Sequence, residues 1–191
     1  MRITLAFVLA VAIAVAVVVA RQGDDDSSAT ETGAVTLVGD SLNVGIEPYL
    51  AKALSGWRID AHDEVGRATR EGVDELRALR RSLAAVVVVS LGTNDAEGSE
   101  AEFRALVDDA LAIAGPDRCV VWATVVRDGA ERTGFDRVLR DASDAHPNLR
   151  LVEWASLVED EPSLLSGDRV HGTPDGYARR AEETARVVRD C

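Results

Sequence analysis

From Ala34 onward, short apolar runs alternate with stretches whose apolar positions recur at helical spacing. Strands are predicted at Ala34–Val38, Trp57–Ala61, Ala84–Leu91, Arg118–Val126 and Leu149–Glu153. Helices are predicted near Val44–Leu54, Arg70–Ser82, Glu100–Ala114, Gly134–Ala145 and Pro174–Arg189. Val86 to Val89 are β-branched throughout, as a central parallel strand buried on both faces requires. Val73, Leu76, Leu79 and Leu83 fall on one face of the second helix. Strand and helix in strict alternation give an α/β fold, a three-layer α/β/α sandwich around a five-stranded parallel sheet with right-handed crossovers. No internal repeat is visible, and no insertion is long enough to form a lid.

The pattern breaks before residue 34. Ile3 to Ala20 carries no charge and is bracketed by Arg2 and Arg21. At 1.5 Å per residue it reaches about 27 Å, enough to cross a bilayer core. Residues 1–21 therefore read as a membrane anchor or as a signal peptide, for which Val18-Val19-Ala20 offers a small-residue cleavage site. Arg2 stays inside under the positive-inside rule, and Asp24-Asp25-Asp26 follow outside. Residues 22–33 are polar, acidic and rich in Ser and Thr, a flexible tether ahead of a domain at 34–191. Either way the domain is extracytoplasmic, held to the membrane through the N-terminal segment or secreted.

Composition narrows the partners. Of 191 residues 47% are hydrophobic and 28% charged, which suits one domain with a sizeable core. The formal net charge of −12 makes nucleic acid a poor partner, because binding there rests on Lys and Arg neutralising phosphates. Two cysteines and three scattered histidines show no metal-ligand spacing. Outside the cytoplasm Cys119 and Cys191 are permitted to pair, which would tie down the last helix; the alternative is two independent thiols.

Four separate stretches carry candidate chemistry: Gly39-Asp40-Ser41-Leu42, Gly66, Gly92-Thr93-Asn94-Asp95, and Asp168-Arg169-Val170-His171. Together they supply a nucleophile, oxyanion donors, a general base and a carboxylate to orient it. Ser41 lies between a strand and a helix, at a turn that exposes a side chain at the sheet edge. Asp-Ser before a helix is also an ordinary cap, and Asp40 reads as structural, holding the turn. Gly66 has no Cβ between its N–H and an oxyanion, yet it is equally a turn glycine. Arg67 beside it is either a hold for an anionic or polar substrate group or a surface arginine. Asn94 ends the most buried strand, where its amide can donate to an oxyanion; a plain turn also favours Gly, Asn and Asp. His171 is the histidine with a carboxylate three residues away, followed by Thr173 as cap and Pro174 at the first position of the last helix. His146 precedes Pro147 at a helix end, and His62 follows the second strand without a matching carboxylate motif.

These blocks, in this order, resemble the SGNH (GDSL-type) hydrolase superfamily of esterases, lipases, deacetylases and acyltransferases. The resemblance implies strand order 2-1-3-4-5, the flavodoxin-like arrangement. It makes Ser41 the nucleophile, His171 the base and Asp168 its partner, with Ser41, Gly66 and Asn94 forming the oxyanion hole. No cofactor is implied. Val38 to Ser41, the Val65-Gly66-Arg67 turn and Asp168 to Gly176 are most similar to extracytoplasmic bacterial cell-wall O-acetyltransferase domains. Those enzymes often carry a multi-span acyl-donor module that this chain lacks, so a serine esterase acting on short acyl esters of carbohydrate or cell-wall material is the expected function. Transfer of the acyl group to a cell-wall glycan is the alternative, and a silent carbohydrate-binding module on the same fold is a third.

Overall fold

The computed structural model describes residues 32–95, 100–127 and 130–191, with only the backbone of 130–133. The N-terminal apolar run and nearly all of the tether lie outside the described residues. Among those described, no helix is long and apolar enough to cross a membrane.

Five strands and six helices alternate as β1 (Gly33–Gly39), α1 (Ser41–Ala53), β2 (Trp57–Ala61), α2 (Thr69–Leu79), β3 (Val86–Ser90), α3 (Glu100–Ala114), β4 (Cys119–Ala123), α4 (Ala130–Ala145), β5 (Leu149–Val152), α5 (Trp154–Asp160) and α6 (Pro174–Arg189). A 3-10 turn spans Pro162–Leu164. All strands are parallel, in the order β2-β1-β3-β4-β5, so the predicted sheet and its order are both present.

The period of two along β3 divides the core. Val87 and Val89 face a cluster with Phe103, Phe135 and Trp122, beneath α2, α3 and α4. Val86 and Val88 face the other cluster, with Ile46, Leu50, Trp154 and Ala181 from α1, α5 and α6. Every residue of β3 is buried, as its unbroken valine run requires.

The elements depart from expectation at their ends. β4 stops at Ala123 although the apolar run continues to Val126: the Thr124 N–H still reaches the Val152 carbonyl of β5 (2.9 Å), but from Val125 the backbone bonds elsewhere. Thr124 Oγ1 donates to the Val152 carbonyl (3.2 Å) and accepts from the Ala155 N–H (2.9 Å), while the Val125 N–H donates to Asp136 Oδ1 (2.8 Å). The same threonine thereby caps α5, a helix that the sequence pattern did not reveal. α1 begins at Ser41 rather than Val44, since Asp40 is its N-cap and accepts from the Leu42 N–H. α4 begins at Ala130 rather than Gly134.

In a parallel sheet all strands start at one edge and finish at the other. Cys119 opens β4, and Cys191 follows α6 back to that starting edge. The two are bonded, with Cα atoms 5.8 Å apart and a sequence separation of 72. The carboxyl ends of the strands, at the opposite edge, hold the candidate chemistry.

Candidate active site

Ser41 is the first residue of α1, set at the carboxyl end of β1 by a turn with little room in it. A Cβ on Gly39 would come within 2.6 Å of the Asn43 side chain, so only glycine lets the strand turn so closely under the helix. The helix N-terminus beside Ser41 favours developing negative charge.

His171 Nε2 stands 2.9 Å from Ser41 Oγ, and its Nδ1 stands 2.7 Å from Asp168 Oδ2. A carboxylate only accepts, so Nδ1 carries the proton and Nε2 is left to accept from the serine hydroxyl. The other oxygen, Asp168 Oδ1, accepts from the N–H groups of Val170 (3.0 Å) and His171 (3.0 Å) and from Ser166 Oγ (2.8 Å). The Val170 and His171 N–H groups, followed by the imidazole and Ser166, hold the Asp168 carboxyl well below the usual carboxylate range. The loop is closed at its base by the bridge between Leu165 and Gly172 and by Ser166 N–H donating to the His171 carbonyl (2.7 Å). Ser166 is a partner that the sequence did not announce.

Asn94 links the remaining blocks. Its Nδ2 donates to Asp40 Oδ2 (3.3 Å) and to the Arg67 carbonyl (3.1 Å). Both amide protons thus have protein partners. Gly66 has φ +82 and occupies the turn between β2 and α2. That conformation suits glycine and strains other residues.

Arg67 is neither a surface arginine nor an arm toward solvent. Its side chain is only 9% exposed and ion-pairs with Glu64 at 3.0 Å. Nη1 turns inward to the carbonyls of His62 and Gly39. With the Glu64 N–H on the Gly39 carbonyl (3.0 Å) and Asn43 Nδ2 on Asp63 Oδ1 (3.1 Å), it locks the Gly66 loop to the nucleophile turn.

Asp40 does more than hold a turn. It is fully buried and bonds Leu42 N–H, Ser90 Oγ and Asn94 Nδ2. Burial pushes its carboxyl upward, opposed first by the charge of Arg180. Arg180, from α6, is itself buried over the Trp154 ring at 5.5 Å. Its burial lowers the guanidinium to about 10, with Asp40 as the main counterweight.

The other histidines lie elsewhere. His62 Nε2 is 3.2 Å from Asp60 and its Nδ1 3.4 Å from Glu75. His146 borders a surface hollow with Gly115, Pro116 and Asn148, beside the edge where β4 and β5 begin. Among the described residues no group of His, Cys, Asp and Glu is arranged to hold a metal ion.

No protein-family model and no curated protein sequence matches this chain. Solved structures do. The C-terminal catalytic domain of Streptococcus pneumoniae peptidoglycan O-acetyltransferase A, bearing a methylsulfonyl adduct, superposes with a TM-score of 0.66 at 17% identity, covering 83% of this chain and 90% of that one. A member of the lipolytic G-D-S-L family from Veillonella parvula gives 0.69 at 15% identity, covering 81% and 97%. The fold is that of the GDSL-type hydrolases. A Clostridium thermocellum family 3 carbohydrate esterase shares the GDSL-type architecture, with a TM-score of 0.62 at 16% identity, covering 83% of this chain and 98% of the esterase.

Proposed function

We propose that this chain is an SGNH-type serine esterase that removes short acyl groups, acetyl above all, from carbohydrate or cell-wall material outside the cytoplasm. The relay from Ser41 through His171 to Asp168, at 2.9 and 2.7 Å, carries the reading. Ser41 Oγ attacks the ester carbonyl as His171 Nε2 takes its proton. The carbonyl oxygen becomes an oxyanion, met by the backbone N–H groups of Ser41 and Gly66 and the amide of Asn94. Collapse of this intermediate breaks the bond to the alcohol, which leaves with the proton from Nε2. Water then attacks the acyl-enzyme by the same route, releasing the acid and restoring Ser41.

A glycan hydroxyl in place of that water would make the chain an O-acyltransferase, the activity named for the S. pneumoniae domain. The charge-free run Ile3–Ala20 and the paired cysteines support export, through either an anchor or a cleaved signal. Incubation with a chromogenic acetyl ester, then mass analysis of the trapped protein, tests the function. Acetate release with an acyl adduct on Ser41 is expected; turnover with Ser41 unmodified would overturn it.

A further inference from the structure

The loop that delivers His171 contains an arginine in a conformation arginines avoid. Arg169 has φ +61, in the left-handed region, where an L side chain is strained. The loop's bonding does not call for a side chain there. Asp168 Oδ1 gathers the next N–H groups, and the Arg169 N–H donates to the Ser166 carbonyl (2.9 Å), which a glycine would do equally well. Strain kept beside a catalytic constellation points to a use for the side chain.

That side chain lines a groove of about 510 Å³ running from the triad loop to the segment after β4. Its apolar lining includes Val126, Val158 and Leu165, and its second cation is Arg127. Arg127 Nη1 is fixed by the carbonyls of Asp95 (2.8 Å) and Gly92 (3.4 Å). Glu159 also borders the groove, so its described lining carries one net positive charge in a chain of net charge −12. Guanidinium groups match carboxylates in shape as well as charge. Two of its lining residues, Ser166 and Arg169, belong to the loop that delivers His171, the residue that protonates the leaving alcohol in the esterase reading.

Building on the esterase reading, we propose that Arg169 and Arg127 hold a carboxylate on the alcohol portion of the ester, so that the favoured substrate is an O-acyl group on an acidic sugar. An alkyl chain would meet two guanidinium groups and a carboxylate in this groove; a sugar acid finds apolar side chains for its ring and guanidinium groups for its acid.

The test compares an acetylated methyl glucuronide with its carboxylate free, the matching neutral acetylated glucoside, O-acetyl lactate and an octanoyl ester. The wild-type kcat/KM should favour the acidic sugar about tenfold over the neutral one at low salt, and less at high salt. Arg169→Gly should bring that ratio close to one while melting no lower than wild type, because glycine accepts φ +61. Arg127→Met should lower the ratio as well. O-acetyl lactate matching the uronate would support recognition through the carboxylate alone. Equal rates on the acidic and neutral sugars, a preference for octanoyl, or a ratio unmoved by Arg169→Gly would each overturn the proposal. Binding of the acidic ester to Ser41→Ala, measured by calorimetry, needs no turnover. If the wild type hydrolyses none of these esters, binding that Arg169→Gly abolishes would refute the esterase reading and leave the carboxylate site standing.

Discussion

Arg180 and Asp40, far apart in sequence, share one hydroxyl: Ser90 Oγ accepts from Arg180 Nη2 at 2.8 Å and donates to Asp40 Oδ1 at 3.3 Å. The last helix is thereby joined to the nucleophile turn through the end of β3. Arg180→Met removes the main influence that opposes protonation of buried Asp40, so Asp40 should hold its proton to higher pH. The acid limb of kcat/KM should move to higher pH, and stability should fall by about 3 kcal/mol or more. Arg180→Lys, which keeps the charge, should lie nearer wild type. A pH–rate profile for Arg180→Met that superimposes on wild type after scaling would refute this role.

Ser41→Ala and His171→Ala should each cut ester hydrolysis by on the order of 10³-fold or more. Asp168→Ala should cost somewhat less, since the imidazole survives without its orienting partner. His171 is partly exposed and Asp168 is exposed, so the melting temperature should barely move in any of the three. Wild-type turnover by Ser41→Ala would remove the serine from the chemistry.

Asp63 is held between Asn43, which donates to it, and the charges of Glu47, Arg67 and Asp40. Burial is the chief cause that pushes its carboxyl up to about 7 from 3.8. A raised acid contributes stability that is fully present below its unfolded value and is lost as pH rises through the folded one. Asp63's contribution should therefore fade between about pH 4 and pH 7 and stay lost above that. Asp63→Asn should flatten the dependence of melting temperature on pH across this window. An identical slope in both proteins would show that Asp63 titrates as an ordinary surface carboxylate.

Reducing the Cys119–Cys191 bond reopens a closed loop spanning 72 residues of sequence. In the chain-entropy model that is worth about 4 kcal/mol of stability. The melting temperature should drop after reduction while room-temperature activity survives, because the bond lies at the edge where strands begin. Two free thiols in the purified oxidised protein, counted by alkylation and mass, would eliminate the bond.

Legibility followed the kind of signal each residue sends. Val86 to Val89 and the periodic helices revealed the sheet because burial selects residue types that pattern can detect. Asp168 and His171 were legible because both partners sit in one short segment. Thr124 to Val126 misled because their β-branched side chains suit a strand while the Val125 N–H turns to Asp136 of α4 and the Thr124 hydroxyl accepts from α5. The seven residues of α5 are too few for helical periodicity to stand out. Arg67 shows that residue type alone cannot tell a buried guanidinium from an exposed one. Arg180 did leave a trace, since it falls with Ala181, Thr184 and Val188 on the buried face of α6. A charge among small and apolar positions at that spacing requires a buried partner, and sequence alone does not say that the partner is reached through Ser90.

The parallel sheet also gives the molecule a front and a back. Gly33, where β1 begins, stands with Cys119 and Cys191 at the rear, and Ser41 and His171 open at the front. A strand of five to seven residues separates the two by roughly 20 Å at about 3.3 Å per residue. Any attachment made through the residues before Gly33 would therefore meet the domain at the edge opposite Ser41 and His171.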